Sequence, residues 1–447
     1  MRFINNAANL LLVSVWMCLI LVGGPGWTED GTASAADPDR PNILFLTVDT
    51  LRADRLGAYG YEYDTTPNLD VLAEAGMIFT DAVCEVPLTG PSFASMFASQ
   101  YPRMTGTTRN GLRMPEHVPL VAEQFQQAGY QTLCVQSNWT LKADLSGLDR
   151  GFDIYDDDFH RRRWLLIKSE RRADEVTEKA IEYFEDLDPD KPFFAWVHYT
   201  DPHAPYRFRR QFNPQDRRPF WLRNEEKVQV KYDSEVAYTD YQIAKFLEVV
   251  PEDTLIVFVG DHGESLYEHD YLGHGRRVHQ TGMWVPFFIT GPEIGAGQSD
   301  LPVRMLDIGP TLLGLAGLPV PETMQGHNLM SEPVSPSRIR VLETYGGAVP
   351  NVPGIREVMA DAEPLYQTVL LEGWKLIIEY DGNGVELYHL EEDPQELNNL
   401  AGEEPERVEA LRTLITQWHE ATEHGSVEAE ALSPSDIRAL RSLGYLE

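Results

Sequence analysis

Three short apolar runs, Asn42–Val48, Phe193–Tyr199 and Thr254–Val259, are each followed by an aspartate: Asp49, Asp201 and Asp261. Runs of this length, separated by longer amphipathic stretches, read as buried strands of a largely parallel sheet in an α/β fold. Strands of such a sheet end on one edge, and ligands bind beyond their carboxyl ends. The three acids can therefore meet although roughly 200 residues separate the first from the last. The competing reading is that each aspartate only caps the next helix or turn. The chain has 447 residues, 43% of them apolar, enough for two or three domains or for one large α/β domain with an appendage. Its 37 basic and 70 acidic residues leave a net charge of -33, which repels nucleic acid and excludes a general role in binding it.

The chain opens with Arg2, an apolar run from Leu10 to Gly23 and the small-x-small triplet Ala33-Ser34-Ala35. Residues 1–35 are expected to be a signal peptide, so the protein is expected to be exported to the periplasm or beyond the cell. An uncleaved N-terminal segment is the one expected route to membrane association. The mature chain keeps only Cys84 and Cys134, too few for a disulfide scaffold or a cysteine metal site, and whether they bond to each other stays open. A main α/β domain is expected over 36–335. A small α+β subdomain follows over 336–447, with strands at Thr368–Glu372, Leu376–Tyr380 and Val385–Leu390 and a hairpin turn at Asp381-Gly382-Asn383-Gly384. After Glu403, Val408, Leu411, Leu414, Ile415 and Trp418 fall on one face of a packing helix.

Gly260-Asp261-His262-Gly263-Glu264 is the sharpest local signal. Adjacent Asp and His side chains on a turn can both reach a metal, flanking glycines allow close backbone approach, and Asp49 can add a third ligand. Pro87-Leu88-Thr89-Gly90-Pro91-Ser92 reads as a turn into a helix, with Thr89 near the helix N-terminus. Unused N–H groups and the positive dipole end there suit an alkoxide and the anion it attacks, although a capping hydroxyl would look the same. His203, in His198-Tyr199-Thr200-Asp201-Pro202-His203, and His274, in Gly273-His274-Gly275, sit in Pro- or Gly-flanked loops. Such histidines suit proton donation to a leaving oxygen, oxyanion binding or a second metal.

Read together, these segments resemble the sulfatase family of the alkaline phosphatase superfamily over nearly the whole mature chain. Asp49-Thr50-Leu51-Arg52-Ala53-Asp54 is similar to the family's opening metal motif, and Thr89-Gly90-Pro91-Ser92 stands where its nucleophile motif lies. Gly151-Phe152-Asp153, Asp201-Pro202-His203, the Asp261-His262 motif, His274-Gly275, Val285-Pro286 and Asp307-Ile308-Gly309-Pro310 follow in family order. Glu386-Leu387-Tyr388-His389-Leu390 with Asp393-Pro394 resembles the family's C-terminal subdomain. The resemblance implies a large, mostly parallel mixed sheet flanked by helices, with a small C-terminal α+β subdomain. It implies a divalent metal on Asp49, Asp261 and His262, attack by Thr89, substrate contacts from His203 and His274, and an oxyanion contact from Asn138. The expected substrate is a small-molecule or glycan sulfate or phosphate ester.

Two departures qualify the resemblance. Members of the usual kind carry a Cys or Ser that is converted to formylglycine, with an Arg four residues on; here the residues are Thr89 and Phe93. Many also open with two adjacent acids, whereas Thr50 follows Asp49, and His262 turns the expected ion from calcium toward zinc or manganese. Three readings follow: a phosphodiesterase or phosphoethanolamine-type transferase using Thr89 directly, a sulfuric ester hydrolase, or an inactive glycan-binding relative.

Overall fold

A computed structural model of the chain describes residues 40–158, 170–347, 363–380 and 384–422. The expected signal peptide, the Arg161–Trp164 loop segment and most of the 381–384 turn lie outside these residues. Eight strands form the main sheet: β1 Ile43–Val48, β2 Met77–Phe79, β3 Gln131–Val135, β4 Ile154–Asp156, β5 Phe193–Tyr199, β6 Leu255–Gly260, β7 Phe287–Thr290 and β8 Gly297–Ser299. Their spatial order is β8-β2-β7-β6-β1-β5-β3-β4. Only β7 runs against its neighbours β6 and β2, so the sheet is mixed but mostly parallel, as the apolar runs predict.

The reason for uninterrupted apolar runs is visible in β1, which is buried throughout. Ile43 and Phe45 enter a core on one face, with Phe93, Met96 and Phe97 of helix α2 Thr89–Ala98. Leu44, Leu46 and Val48 enter a second core on the other face, with α4 Ala173–Glu185 and α5 Asn224–Leu247. Helices α1 Pro67–Glu74 and α3 Val121–Gln127 complete the second and first cores respectively. A strand covered on both faces has no solvent side on which polar residues could alternate.

The C-terminal strands β9 Arg340–Thr344, β10 Tyr366–Leu371, β11 Trp374–Glu379 and β12 Val385–His389 form an antiparallel sheet in that order. Leu342, Leu370 and Ile377 join the first main core, while Val341, Val369 and Leu376 turn the other way onto Leu411 and Ile415 of helix α7 Pro405–Ala421. The small sheet is thus an intermediate layer, with Val408, Leu414 and Trp418 completing the α7 face that the sequence predicts. Cys84 and Cys134 are free and buried. No helix among the described residues is long and apolar enough to cross a membrane.

Asp307, at the start of helix α6 Ile308–Leu315, ties this layer down. It is fully buried and takes both arms of Arg338, at 2.7 and 2.8 Å, with the His327 and Arg304 N–H groups each at 2.9 Å. Asp307→Ala strands Arg338 in a mostly buried position, and such losses cost about 3–5 kcal/mol. Urea unfolding should show a drop of that order; a change under about 1 kcal/mol would mean that Arg338 finds other partners.

Candidate functional site

β1 is flanked by β5 and β6 in register, Val48 beside both Tyr199 and Gly260, so all three strands end at one level. Asp49 and Asp261 continue from two of these ends and are both fully buried. The Thr50 and His262 N–H groups donate to Asp261 Oδ1 at 3.0 and 2.7 Å. Thr50 does so from a left-handed backbone, φ 54, which Tyr232 stabilises by donating its hydroxyl to Thr50 O at 2.6 Å. The position where an adjacent acid was missing therefore supplies a backbone donor to the other acid. Asn138 donates from Nδ2 to Asp49 Oδ2, and its own Oδ1 is fixed by Thr140 N–H and Oγ1, both at 2.9 Å.

These bonds hold one oxygen of each carboxylate and leave the other, Asp49 Oδ1 and Asp261 Oδ2, buried without a hydrogen-bond partner. Both sit 3.6 Å from His262 Nε2. His262 Nδ1 is 2.9 Å from Gly263 O and must donate to it, which puts the ring's lone pair on Nε2. Gly263 permits this, because a Cβ there would lie 2.1 Å from Thr281 O. Two orphaned carboxylate oxygens and an imidazole lone pair, all within 4.8 Å of one another, are a donor set that fits a divalent cation.

Thr89 is the first residue of α2, fully buried, with Oγ1 3.4 Å from His262 Nε2 and 3.5 Å from Asn138 Nδ2. The His274 loop closes on it from the other side: Gly275, at φ 82, packs so tightly on Leu88 that a Cβ would lie 2.7 Å from that side chain. The His274 ring stands 4.5 Å from that of His262 and 5.1 Å from that of His203. All seven residues singled out from the sequence, Asp49, Thr89, Asn138, His203, Asp261, His262 and His274, are thus linked by contacts of a few ångströms.

Asp201 is different. It faces away from this cluster, accepting the Ala173 N–H at the start of α4 at 2.8 Å and Arg209 at 2.9 Å, so this one of the three strand-end acids is a cap, but of the helix before its strand and not of the next one. Two carboxylates with no assigned role in the sequence belong to the site instead. Glu264 Oε1 meets His274 Nδ1 at 3.1 Å, and His203 Nδ1, which donates to Ala204 O at 2.7 Å, has Glu170 Oε1 as its ion-pair partner at 3.2 Å. Glu264 lies inside the Asp261-His262 motif, but only the folded loop reveals its partner.

Burial and the proximity of Asp261 raise the Asp49 carboxyl from 3.8 to about 7, and burial raises Asp261 likewise to about 7. Burial works against the charged form of His203, yet the Glu170 hydrogen bond and the Asp49 carboxylate bring it up to about 10. His274 is lowered by burial, while Glu264, in spite of its own burial, is lowered by His274 and stays ionised. His274 Nδ1 is then the donor to Glu264, and the ring's basic nitrogen is Nε2.

A sulfatase family model matches residues 41–318, and a model of the C-terminal region of N-sulphoglucosamine sulphohydrolase matches residues 268–423. The chain is 28% identical to the ulvan-active sulfatase of Formosa agariphila over 71% of each protein. It is 26% identical to an N-acetylglucosamine-6-O-sulfatase of Bacteroides thetaiotaomicron over 83% of this chain and 85% of the relative. The phosphonate monoester hydrolase of Agrobacterium radiobacter shares the fold, with a TM-score of 0.67 at 19% identity over 86% of this chain and 96% of that one.

The raised carboxyls predict a pH effect of definite sign. In chelated protein, Asp49 and Asp261 stabilise the fold in their neutral form, and this contribution is lost as pH rises from about 4 through about 7. A divalent cation needs both ionised, so its binding should release protons and tighten over about pH 6 to 8. Titration calorimetry in buffers of different ionisation enthalpy measures that release; pH-independent affinity without proton release would rule out this ligand pair.

Proposed function

Since the chain belongs to the sulfatase family, whose members here are named as hydrolases of anionic esters, we propose that it is a metal-dependent hydrolase that attacks its substrate through an unmodified Thr89. The observation that carries this reading is Thr89 Oγ1 lying 3.4 Å from His262 Nε2, beside two carboxylates with orphaned oxygens. Asp49, Asp261 and His262 would hold the cation, which when bound lowers the hydroxyl pKa and offsets negative charge on the reacting group. Zinc or manganese suits a donor set with an imidazole better than calcium does.

The chain's own residues divide the remaining work. Asn138 keeps its N–H groups between Asp49 and Thr89, where one can meet an oxygen of the group under attack. His203, protonated through Glu170, donates to the departing oxygen or binds a non-bridging one. His274, neutral and oriented by ionised Glu264, offers Nε2 to the water that releases the group from Thr89.

Thr89 also bears on which ester is turned over. A formylglycine hydrate expels sulfate with its second hydroxyl by collapsing to the aldehyde, whereas threonine has no second hydroxyl on that carbon. A sulfated Thr89 would need water to attack it directly and would stall; a phosphorylated Thr89 can be released by an activated water. The reading is thus a phosphorus ester hydrolase, of phosphodiesterase or phosphonate ester type. The names of the relatives favour the second reading, a sulfuric ester hydrolase acting on glycans. Under either, the leader expected over 1–35 would direct the enzyme to substrates outside the cytoplasm.

The test is a panel of aryl sulfate, phosphate monoester, diester and phosphonate with the metal-loaded enzyme. Peptide mass should show plain threonine at 89, a phosphorus ester should turn over steadily, and aryl sulfate should give at most one burst. Thr89→Ala should lose about 10³-fold or more in kcat/KM. Sustained, Thr89-dependent sulfate hydrolysis would return the chain to the second reading, and a Thr89→Ala enzyme of near-parental rate would end both.

His203→Ala and His274→Ala should melt within a few degrees of the parent while losing about 100-fold in kcat/KM, the lower range for a positioned proton donor or base. Unfolding, or activity near the parent's, would make these histidines structural.

A further inference from the structure

Six arginines are buried among the described residues: Arg52, Arg55, Arg103, Arg109, Arg171 and Arg340. In a chain as acidic as this one, a buried guanidinium readily finds a carboxylate, and five of the six do. Arg52 meets Asp54, Arg55 meets Asp233, Arg103 meets Glu343, Arg171 meets Asp156 and Arg340 meets Asp81. Arg109 is the exception. It is only 4% exposed, it pairs with no carboxylate among the described residues, and its Nε is buried without a hydrogen-bond partner. Its contact is the Tyr345 ring, 5.8 Å from the guanidinium carbon. A buried cation with no carboxylate beside it among the described residues is costly, and arginines are almost never buried without a partner.

The position of Arg109 indicates what that partner is. The next residue, Asn110, is fully buried and accepts the Gly90 N–H at 2.7 Å, immediately after Thr89, while its own Nδ2 has no partner. On the other side, Thr344, next to Tyr345, donates its hydroxyl to Gly275 O at 2.5 Å, immediately after His274. Arg109 therefore stands in the wall that joins the Thr89 turn to the His274 loop. Burial lowers its pKa to about 10, with Tyr345 opposing, so it keeps its charge at neutral pH.

We propose that Arg109, together with Nδ2 of the next residue, Asn110, binds a second anionic group of the substrate, a carboxylate, sulfate or phosphate other than the group attacked by Thr89. A planar guanidinium near an aromatic ring, with its donors in a fixed fork, matches two oxygens of such a group. The enzyme then prefers polyanionic esters to simple ones. This deepens the reading of the site above and rests on it.

The experiment compares two aryl esters of the hydrolysed class, identical except that one carries a carboxymethyl group, in the parent, Arg109→Gln and Arg109→Lys. The parent should prefer the charged ester by about 10-fold or more in kcat/KM, and Arg109→Gln should remove that preference through KM while the neutral ester stays within about 3-fold. Arg109→Lys should keep part of the preference. Arg109→Gln should also melt no lower than the parent, since it removes an uncompensated charge. Equal loss on both esters would put Arg109 on the transferred group, and a melting point several degrees lower would make it structural; either overturns the proposal, as does no preference in the parent. If the parent turns over neither ester, the Thr89 reading fails, and Arg109 is judged on binding: the carboxymethyl ester should raise the parent's melting point and leave that of Arg109→Gln unmoved, and equal shifts would sink the site.

Discussion

Two fully buried carboxylates meet at the strand ends, and much of the surrounding structure is arranged to keep them there. Asp49 and Asp261 sit at the ends of β1 and β6, whose register makes their meeting unavoidable. Burial disfavours the charged form of each, and Asp261 adds its repulsion to Asp49, so both carboxyls rise to about 7. Backbone donors from Thr50 and His262 secure Asp261, and Asn138 secures Asp49. The left-handed Thr50 fits the same pattern, a strained backbone position at the point where a functional group must be aimed. The oxygens left over are the ones that a cation would take.

Phe93, where the family's usual pattern has an arginine, shows how the site differs on one side. Its ring centre lies 4.8 Å from that of a tilted Trp196 and meets the His198 ring edge to face at 4.9 Å. Trp196 donates its indole N–H to Thr47 Oγ1 at 3.0 Å, and that hydroxyl lies 2.9 Å from His198 Nδ1. The hydroxyl that accepts from Trp196 can donate to His198, whose Nε2–H then faces Asp49 Oδ2 at 3.9 Å. Burial lowers His198 to about 3, so it remains neutral. The wall beneath Thr89 is aromatic and uncharged, and positive charge at the site comes from His203 instead.

The strands and their edge were legible because a two-sided core demands unbroken apolar runs, and β1, β5 and β6 follow those runs to within a residue. The metal-like cluster was legible because Asp261 and His262 are adjacent and glycines flank them. Asp201 was not distinguishable from its two counterparts by sequence: all three follow a strand, and only the approach of α4 makes one of them a cap. Glu170, Glu264 and Arg109 were hidden for a related reason. The two acids act through partners brought near by loop geometry, and an arginine with no carboxylate beside it among the described residues looks in sequence like any other.

The central claim is that Asp49, Asp261 and His262 converge as ligands of one cation beside Thr89. Anomalous diffraction from crystals of zinc- or manganese-loaded protein, collected across the metal edge, addresses it directly. The account predicts a peak about 2.0–2.3 Å from Asp49 Oδ1, Asp261 Oδ2 and His262 Nε2, with Thr89 Oγ1 as its neighbour. A peak bound elsewhere, or these three side chains turned apart around an occupied site that excludes one of them, would contradict it.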